Sequence, residues 1–432
     1  MKIFVLNCGS SSVKFQLIET DLERISKEDE IVLARGIVEK IGLSPAIMRY
    51  QVVNKNPLFL AEKKDELPPE EKTPMEIQDH GEAITSALKA LTDPKKGVVS
   101  SPDEIAAVGH RVVHGGERFK ESVVINEEVL KSITACVEFA PLHNPHNLRG
   151  YYACKELLPH CPHVAIFDTA FHQSMPRRAF LYGLPYQIYQ KYGIRRYGFH
   201  GVSHRYVSYR LGQLCGTHRD YMKVITCHLG NGCSCAAIDH GKSIDTSMGF
   251  TPLEGLLMGT RTGDLDPSII LTLIAKEELT LGEANNLMNK HSGLLGISGV
   301  SSDMREIQKA AEEGNERAQL AIDMFCYRMR KYIAAYAASM GGVDHVVFTG
   351  GIGENSPLIR KQSCEGLQFM GIEIDDEKNE ACAGREGKIS LETANVGVWA
   401  IPTNEELVYA RDTVRCISGQ IKEEPRPTAV KR

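Results

Sequence analysis

The sequence has no P-loop pattern GxxxxGK(S/T), no CxxC pair, no long block of Lys or Arg, and no apolar run of the roughly 18 residues needed to cross a membrane. Each absence removes a class of function. A formal net charge of −5 without basic clusters excludes the electrostatic footprint of a nucleic-acid-binding protein and a polybasic membrane anchor, so any anionic ligand must be met by local charge. The opening MKIFVLNCGSSS carries one Lys and an apolar stretch too short for a signal peptide, so a cytoplasmic protein is expected. Twelve cysteines are scattered and several alternate with apolar residues, as Cys233 and Cys235 do; they read as reduced, buried thiols and are assigned no chemistry.

What is present is an ordinary globular mixture, 42% hydrophobic and 24% charged, whose 38 Gly imply many tight backbone positions. At 432 residues the chain exceeds what one core usually organises, so two domains with a cleft between them are expected. The start reads as a hairpin, with apolar Ile3 to Leu6, a Gly/Ser turn from Asn7 to Ser12, and apolar Val13 to Ile18. The same layout returns where Val224 to Thr226 leads through His228, Gly230, Asn231 and Gly232 into Cys233 to Ile238, as if one domain plan were used twice.

Other elements are marked by period and punctuation. Glu62 to Lys72 reads as a solvated connection. A helix carrying Ala83, Ile84, Ala87, Leu88 and Leu91 must stop before Pro94, and Ile105 to Val108 reads as a strand. A long helix is expected from an Asn315 cap to Met340, burying Ile322, Phe325, Met329, Ile333 and Tyr336 and ending at Gly341. His345 to Phe348 is a strand leading into Gly350, Gly351 and Gly353, and Ser356–Pro357 reads as a helix cap, which would set the glycines at a helix N-terminus suited to anions. The last dozen residues carry no apolar period and are expected to fray.

In NCGSSSVKF, residues 7 to 15, Gly9 permits a tight turn, hydroxyls including Ser10 and Ser12 face outward, and Lys14 adds a positive charge; the segment reads equally as a phosphate cradle or a polar hairpin. Two more glycine runs, His228 to Gly232 and TGGIGENS from 349, also follow apolar strands, and together the three favour phosphate and nucleotide contacts.

The chain resembles the acetate kinase family, within the superfamily of acetate and sugar kinases, Hsp70 and actin. The resemblance spans nearly the whole length. It rests on NCGSSSVKF at 7, GHRVVHGGE at 109, APLHNPHN at 140, FDTAFHQSMP at 167, RRYGFHGVSH at 195, HLGNG at 228, DTSMGFTPLEGLLMGTRTGD at 245, SSDMRE at 301, FTGGIGENS at 348 and PTNEEL at 402. Departures are small: Cys8 where Ser or Ala is usual, Val202 where Thr is usual, and Met304 at a variable or aromatic position. The family implies an α/β, two-domain, duplicated ribonuclease H-like (actin-like ATPase) fold with an interdomain cleft. Residues 1–168 completed by 406–432 would form the first domain, and 169–405 the second, carrying most of the nucleotide site. It also implies reversible transfer of the γ-phosphoryl group of ATP to acetate by direct in-line displacement, Mg²⁺ (or Mn²⁺), and a homodimer.

The chemistry needed is consistent with that resemblance. Acetate is ionised near pH 7, so it needs no catalytic base; the reaction needs neutralisation of converging anions. A guanidinium can hold a carboxylate or phosphoryl oxygens through two parallel hydrogen bonds. The resemblance places Arg111 and Arg261 at the transferring group and acetate, and His200 on the planar phosphoryl. Asp168 would orient Arg261 or a metal-bound water, or act as an acid. His143 and His228 are implied to support phosphates or ligand position. For the metal, Glu405 with Asn7 is the first choice; Glu406 is adjacent and could take its place, and one of the two is expected to face solvent. The nucleoside would meet Asn231, Gly232, Asp303, Met304, Arg305, Gly351, Ile352 and Asn355, although Asp303 with Glu306 also reads as a capping box. Val113, Leu142, Phe199 and Pro252 would line the acetate pocket. Alternatives are a propionate or butyrate kinase with the same machinery, transfer through an enzyme carboxylate, and a nucleotide-switched ATPase of the actin or Hsp70 kind.

Overall fold

The computed structural model describes residues 1–54 and 69–420. The expected solvated connection from Glu62 and the fraying tail therefore lie mostly outside the described residues. The part of that connection inside them is different from the expectation: Glu71 and Lys72 open a strand.

The chain divides into two compact units, Met1–Ala170 joined by the segment that begins at Asn404, and Phe171–Thr403. The first unit holds an eight-stranded sheet of β1 (Lys2–Cys8), β2 (Ser12–Glu19), β3 (Ile31–Glu39), β4 (Ala46–Val52), β5 (Glu71–Met75), β6 (Ile105–Val112), β7 (Val123–Val124) and β8 (His163–Phe167), in the order β5-β4-β3-β2-β1-β6-β8-β7. The second holds β9 (Lys223–Leu229), β10 (Cys233–Asp239), β11 (Lys242–Thr246), β12 (His345–Thr349), β13 (Gly387–Lys388) and β14 (Gly397–Ala400), ordered β11-β10-β9-β12-β14-β13.

Five strands of each sheet follow one plan. An antiparallel meander (β1-β2-β3; β9-β10-β11) is extended on the side of its first strand by two parallel strands (β6, β8; β12, β14). The duplicated hairpins of the sequence are thus the opening hairpins of a repeated α/β plan, the actin-like arrangement.

The patterns explain why these elements form. Ile3 to Leu6 of β1 and Val164 to Phe167 of β8 are unbroken apolar runs, as strands covered on both faces must be, and all are buried. Helices His80–Leu91 and Asn144–Leu157 cover the first sheet, burying Ala83, Ile84, Ala87, Leu88 and Cys154 with Phe4, Leu6, Phe15 and Leu17. In β10 the small residues Cys233 to Ala237 let the long helix Glu316–Met340 approach, and Met329 Sδ lies 3.3 Å from Cys235 Sγ. That helix is capped by Asn315 and closed by Gly341 at φ 66°, as its sequence dictates. The final helix Glu405–Ile417 packs on β1, β6 and β8. No helix among the described residues is long and apolar enough to cross a membrane, and all twelve cysteines are free thiols.

One element departs from its expectation. Gly350–Asn355 is itself a short helix, and Ser356 caps the next one, Pro357–Cys364, by accepting from Ile359 N. The glycines stay helical because the Glu354 carboxylate accepts from Gly350 N at 2.9 Å and from Thr403 N at 3.0 Å, so the helix's fifth residue fixes its first turn.

Candidate functional site

In the first unit, β1 and β2 meet in a turn closed by Gly9 N donating to Ser12 O at 2.8 Å. His80 Nε2 reaches Gly9 O at 2.7 Å from beneath, leaving Ser10 exposed and Ser12 half-buried. Arg111, near the end of β6, is the centre of charge. Its Nε and Nη2 grip Asp168, with Nη2–Oδ2 at 2.6 Å, while Nη1 donates to Asn7 Oδ1 at 3.1 Å, so one N–H remains on each terminal nitrogen. Burial alone would lower this guanidinium's pKa, but the attraction of Asp168, with Tyr409 and Glu405, more than offsets it and holds the group well above the ordinary arginine value. Glu405 Oε2 accepts from Tyr409 Oη at 2.8 Å, and Glu406 is buried and paired with Lys14 Nζ at 2.5 Å.

The second unit gathers a different set. His200 enters helix Gly201–Leu214 at φ 56°, a left-handed backbone that is costly for a residue with a side chain. Its Nδ1 pairs with Ser234 Oγ at 2.9 Å, and its ring stacks on His228 with centroids 4.2 Å apart. His228 Nδ1 meets Ser203 Oγ at 2.8 Å, and Ser203 Oγ donates to Thr403 Oγ1 at 2.9 Å. A Cβ added at Gly232 would lie 3.4 Å from Arg261 Nη1 and 3.5 Å from His200 Nε2, so the glycine turn passes directly beside both. Arg261 is set by GTRTGD, where Gly263 at φ 67° has no room for a side chain, a Cβ falling 2.3 Å from Leu256 O. Its Nη1 reaches only the Pro252 carbonyl, at 3.3 Å, and no acidic side chain pairs with it among the described residues. Burial pulls its pKa below the ordinary arginine value, against a smaller upward pull from Cys233. Arg111 carries its own counter-ion; Arg261 does not.

Next to this turn is a pocket of ≈ 630 Å³ lined by Gly230, Asn231, Ser302, Asp303, Met304, Arg305, Gln308, Gly351, Ile352, Asn355 and Ser356.

A sequence profile described as the acetokinase family matches residues 2–411. The chain belongs to the acetokinase family. It is 52% identical over 418 residues to the acetate kinase of Caldicellulosiruptor saccharolyticus, covering 96% of this chain and all of that one. Among solved structures, Porphyromonas gingivalis acetate kinase superposes with a TM-score of 0.86 at 46% identity, over 96% of this chain and 99% of that one. A propionate kinase from Francisella tularensis gives 0.85 at 40% identity, over 95% and 98%.

Compared with what the resemblance to the acetokinases implies, the structure gathers seven of the eight nucleoside candidates in the pocket wall, with Gly232 one residue beyond Asn231 and lying against Arg261. Asp303 both lines the pocket and caps helix Met304–Glu312 by accepting from Arg305 N at 2.9 Å; no reciprocal bond from Glu306 exists among the described residues, so it is a simple cap and not a box. Three placements differ from the sequence reading. Asp168 orients Arg111, because the two lie on neighbouring parallel strands and β8 ends beside β6. Neither Glu405 nor Glu406 simply faces solvent, since one is bonded to Tyr409 and the other neutralises Lys14, whose ammonium is thereby engaged by a carboxylate. Leu142 is 42% exposed, whereas Val113 and Phe199 are buried and Pro252 contributes its carbonyl to Arg261. His143 is the half-buried residue that opens helix Asn144–Leu157 without a side-chain cap bond.

Sequence reasoning missed the residues that hold these in place. Asn147 accepts from Val113 N at 3.0 Å and donates to Cys8 O at 2.9 Å, tying the end of β6 to the end of β1; Asn144 accepts from His114 N at 3.0 Å. The signal was the pair of Asn in APLHNPHN, one helical turn apart. Gln308, whose amide donates to Ser356 Oγ at 2.7 Å across the pocket wall, carried no such signal.

Proposed function

We propose that this protein transfers the terminal phosphoryl group of ATP to acetate, reversibly, giving acetyl phosphate and ADP. The observation that carries the reading is Arg261: a half-buried guanidinium without a carboxylate partner, alongside His200 and next to a nucleoside-sized pocket, is a cation waiting for an anion. ATP lies with its base and sugar in the pocket between Met304, Arg305 and Ile352, and its phosphates run along the turn Gly230–Gly232 towards Arg261 and His200.

Acetate arrives already ionised, so no residue removes a proton from it. Arg111, oriented by Asp168 and Asn7, offers its two remaining N–H groups to the acceptor and the incoming phosphoryl oxygens. As the bond to the leaving oxygen lengthens, charge spreads over the equatorial oxygens, where Arg261 and the outer nitrogen of His200 take it up. His200 keeps Nδ1 on Ser234, which fixes its ring so that Nε2 faces the turn. Val113 is a buried apolar residue suited to the acetate methyl.

Asn7 and Glu405 supply oxygen donors only, and Glu405 keeps one carboxylate oxygen clear of its bond to Tyr409, a donor set that suits Mg²⁺ with its preference for few protein ligands and several waters. When bound, the ion would neutralise nucleotide phosphate charge. The in-line route inverts configuration at phosphorus, whereas passage through an enzyme carboxylate would retain it.

The likeness to a propionate kinase makes a longer acid the second reading, since one methylene is worth only ~1–3 kcal/mol of discrimination. Trapping the acyl phosphate with hydroxylamine, with and without Mg²⁺ and with acids of two to four carbons, tests both: acetate should give the highest kcat/KM, and absence of hydroxamate with every acid would refute the reading. The protein functions in the cytoplasm, a reading supported by its free thiols, and pairs with a second copy, a reading supported by helix Pro267–Lys276, where Ile269 and Leu271 are exposed and no residue is buried.

A further inference from the structure

Away from the phosphate turns, the first unit buries three soft ligands against one another. His110 on β6, His163 on β8 and Cys154 on helix Asn144–Leu157 each place one ligand atom within 4.8 Å of the other two, and all three residues are buried. His110 Nε2 and His163 Nδ1 are 2.8 Å apart. We infer that these three residues form a binding site for a soft monovalent metal ion, Cu(I), separate from the phosphoryl-transfer machinery.

The ring chemistry favours ligation. His163 donates Nε2–H to Leu158 O at 3.1 Å, so its Nδ1 lone pair points at the cluster; a ligating histidine is usually fixed by such a bond from its other nitrogen. Tyr151 packs edge-on to both rings and closes the site with apolar surface.

Charge selects the ion. Among the described residues, the groups bearing on the three ligands are Cys8, Cys161, Lys155 and His160, none of them a carboxylate. A divalent ion with one thiolate would leave a net positive charge in the core, which is costly, whereas Cu(I) with one thiolate and two neutral imidazoles is neutral. Two nitrogens and one sulfur also suit three-coordinate copper. On binding, the Cys154 thiol loses its proton to solvent as the S–Cu bond forms. His110 moves its proton from Nε2 to Nδ1, and the two nitrogens part from 2.8 Å to roughly 3.5 Å, the spacing of ~2 Å bonds in a trigonal site. No electron is transferred.

The test uses the full-length protein under anaerobic conditions, with Cu(I) delivered at one equivalent from a chromophoric Cu(I) chelator. X-ray absorption should show two imidazole nitrogens and one sulfur, and copper should raise Tm. His163→Gln, which keeps a donor for Leu158 O but loses the Nδ1 ligand, and Cys154→Ser should each weaken binding at least about 100-fold and abolish the Tm rise. Sulfur-only coordination in the wild type, or unchanged affinity in both variants, overturns the proposal; tighter binding of Zn²⁺ than of Cu(I) at this site overturns the choice of ion. The wild-type coordination decides the matter even where a variant fails to fold.

Discussion

At the scale of single residues, the two arginines divide the work by their partners. Arg261 has no counter-ion among the described residues, so replacing it by Ala removes a donor used when phosphoryl charge develops; kcat should fall about 10²–10³-fold with little change in Tm, measured by hydroxamate formation and calorimetry. Arg111 behaves differently because Asp168 is 1% exposed and bonded to it. Asp168→Ala should lower both activity and stability, the latter by about 3 kcal/mol in denaturant titrations, since it strands a partly buried cation. These roles were only half legible in the sequence. GTRTGD and GHRVVHGG marked both arginines by their glycines, but the Asp168–Arg111 and Lys14–Glu406 pairs join residues far apart in the chain, which no local pattern encodes. A buried histidine gives a pH signature. The pKa of His172 is lowered by burial to about 4, against an unfolded value of about 6.5. Its neutral form therefore contributes stability that is present above pH ~6.5 and is lost as pH falls towards 4, by up to ~1.4 kcal/mol per pH unit. His172→Gln should flatten the decline of Tm in that window.

At the scale of elements, the hairpins and the long helix Glu316–Met340 were readable because their signals are local: alternation about a glycine turn, an Asn cap, a terminal Gly. Gly350–Asn355 was not, because glycine is a poor helix former and one of the two bonds that hold its Glu354 carboxylate, from Thr403 N, is tertiary. That carboxylate ties the turn beside the nucleoside pocket to Thr403, and Thr403 is tied through Ser203 to His228 and so to His200. Glu354→Ala should raise the KM for ATP more than it lowers kcat, and destabilise the protein by about 2 kcal/mol. An unchanged KM would show that the knot is only structural.

For the whole molecule, repetition of one five-strand plan was visible in outline, since NCGSSS and HLGNG open equivalent hairpins; the strands added at the sheet edges, β4, β5, β7 and β13, carried no equivalent signal. The exposed apolar helix Pro267–Lys276 belongs to this scale as well. If a second copy covers it, Leu271→Lys should shift the protein from dimer towards monomer in sedimentation. The account rests most heavily on Arg261 meeting the phosphoryl group in flight. The most direct measurement is binding of ADP, acetate and aluminium fluoride, a planar stand-in for that group, to the wild type and to Arg261→Ala. The prediction is a loss of at least about 100-fold for the ternary mimic with ADP affinity nearly unchanged; equal affinity of both proteins for the mimic would contradict it.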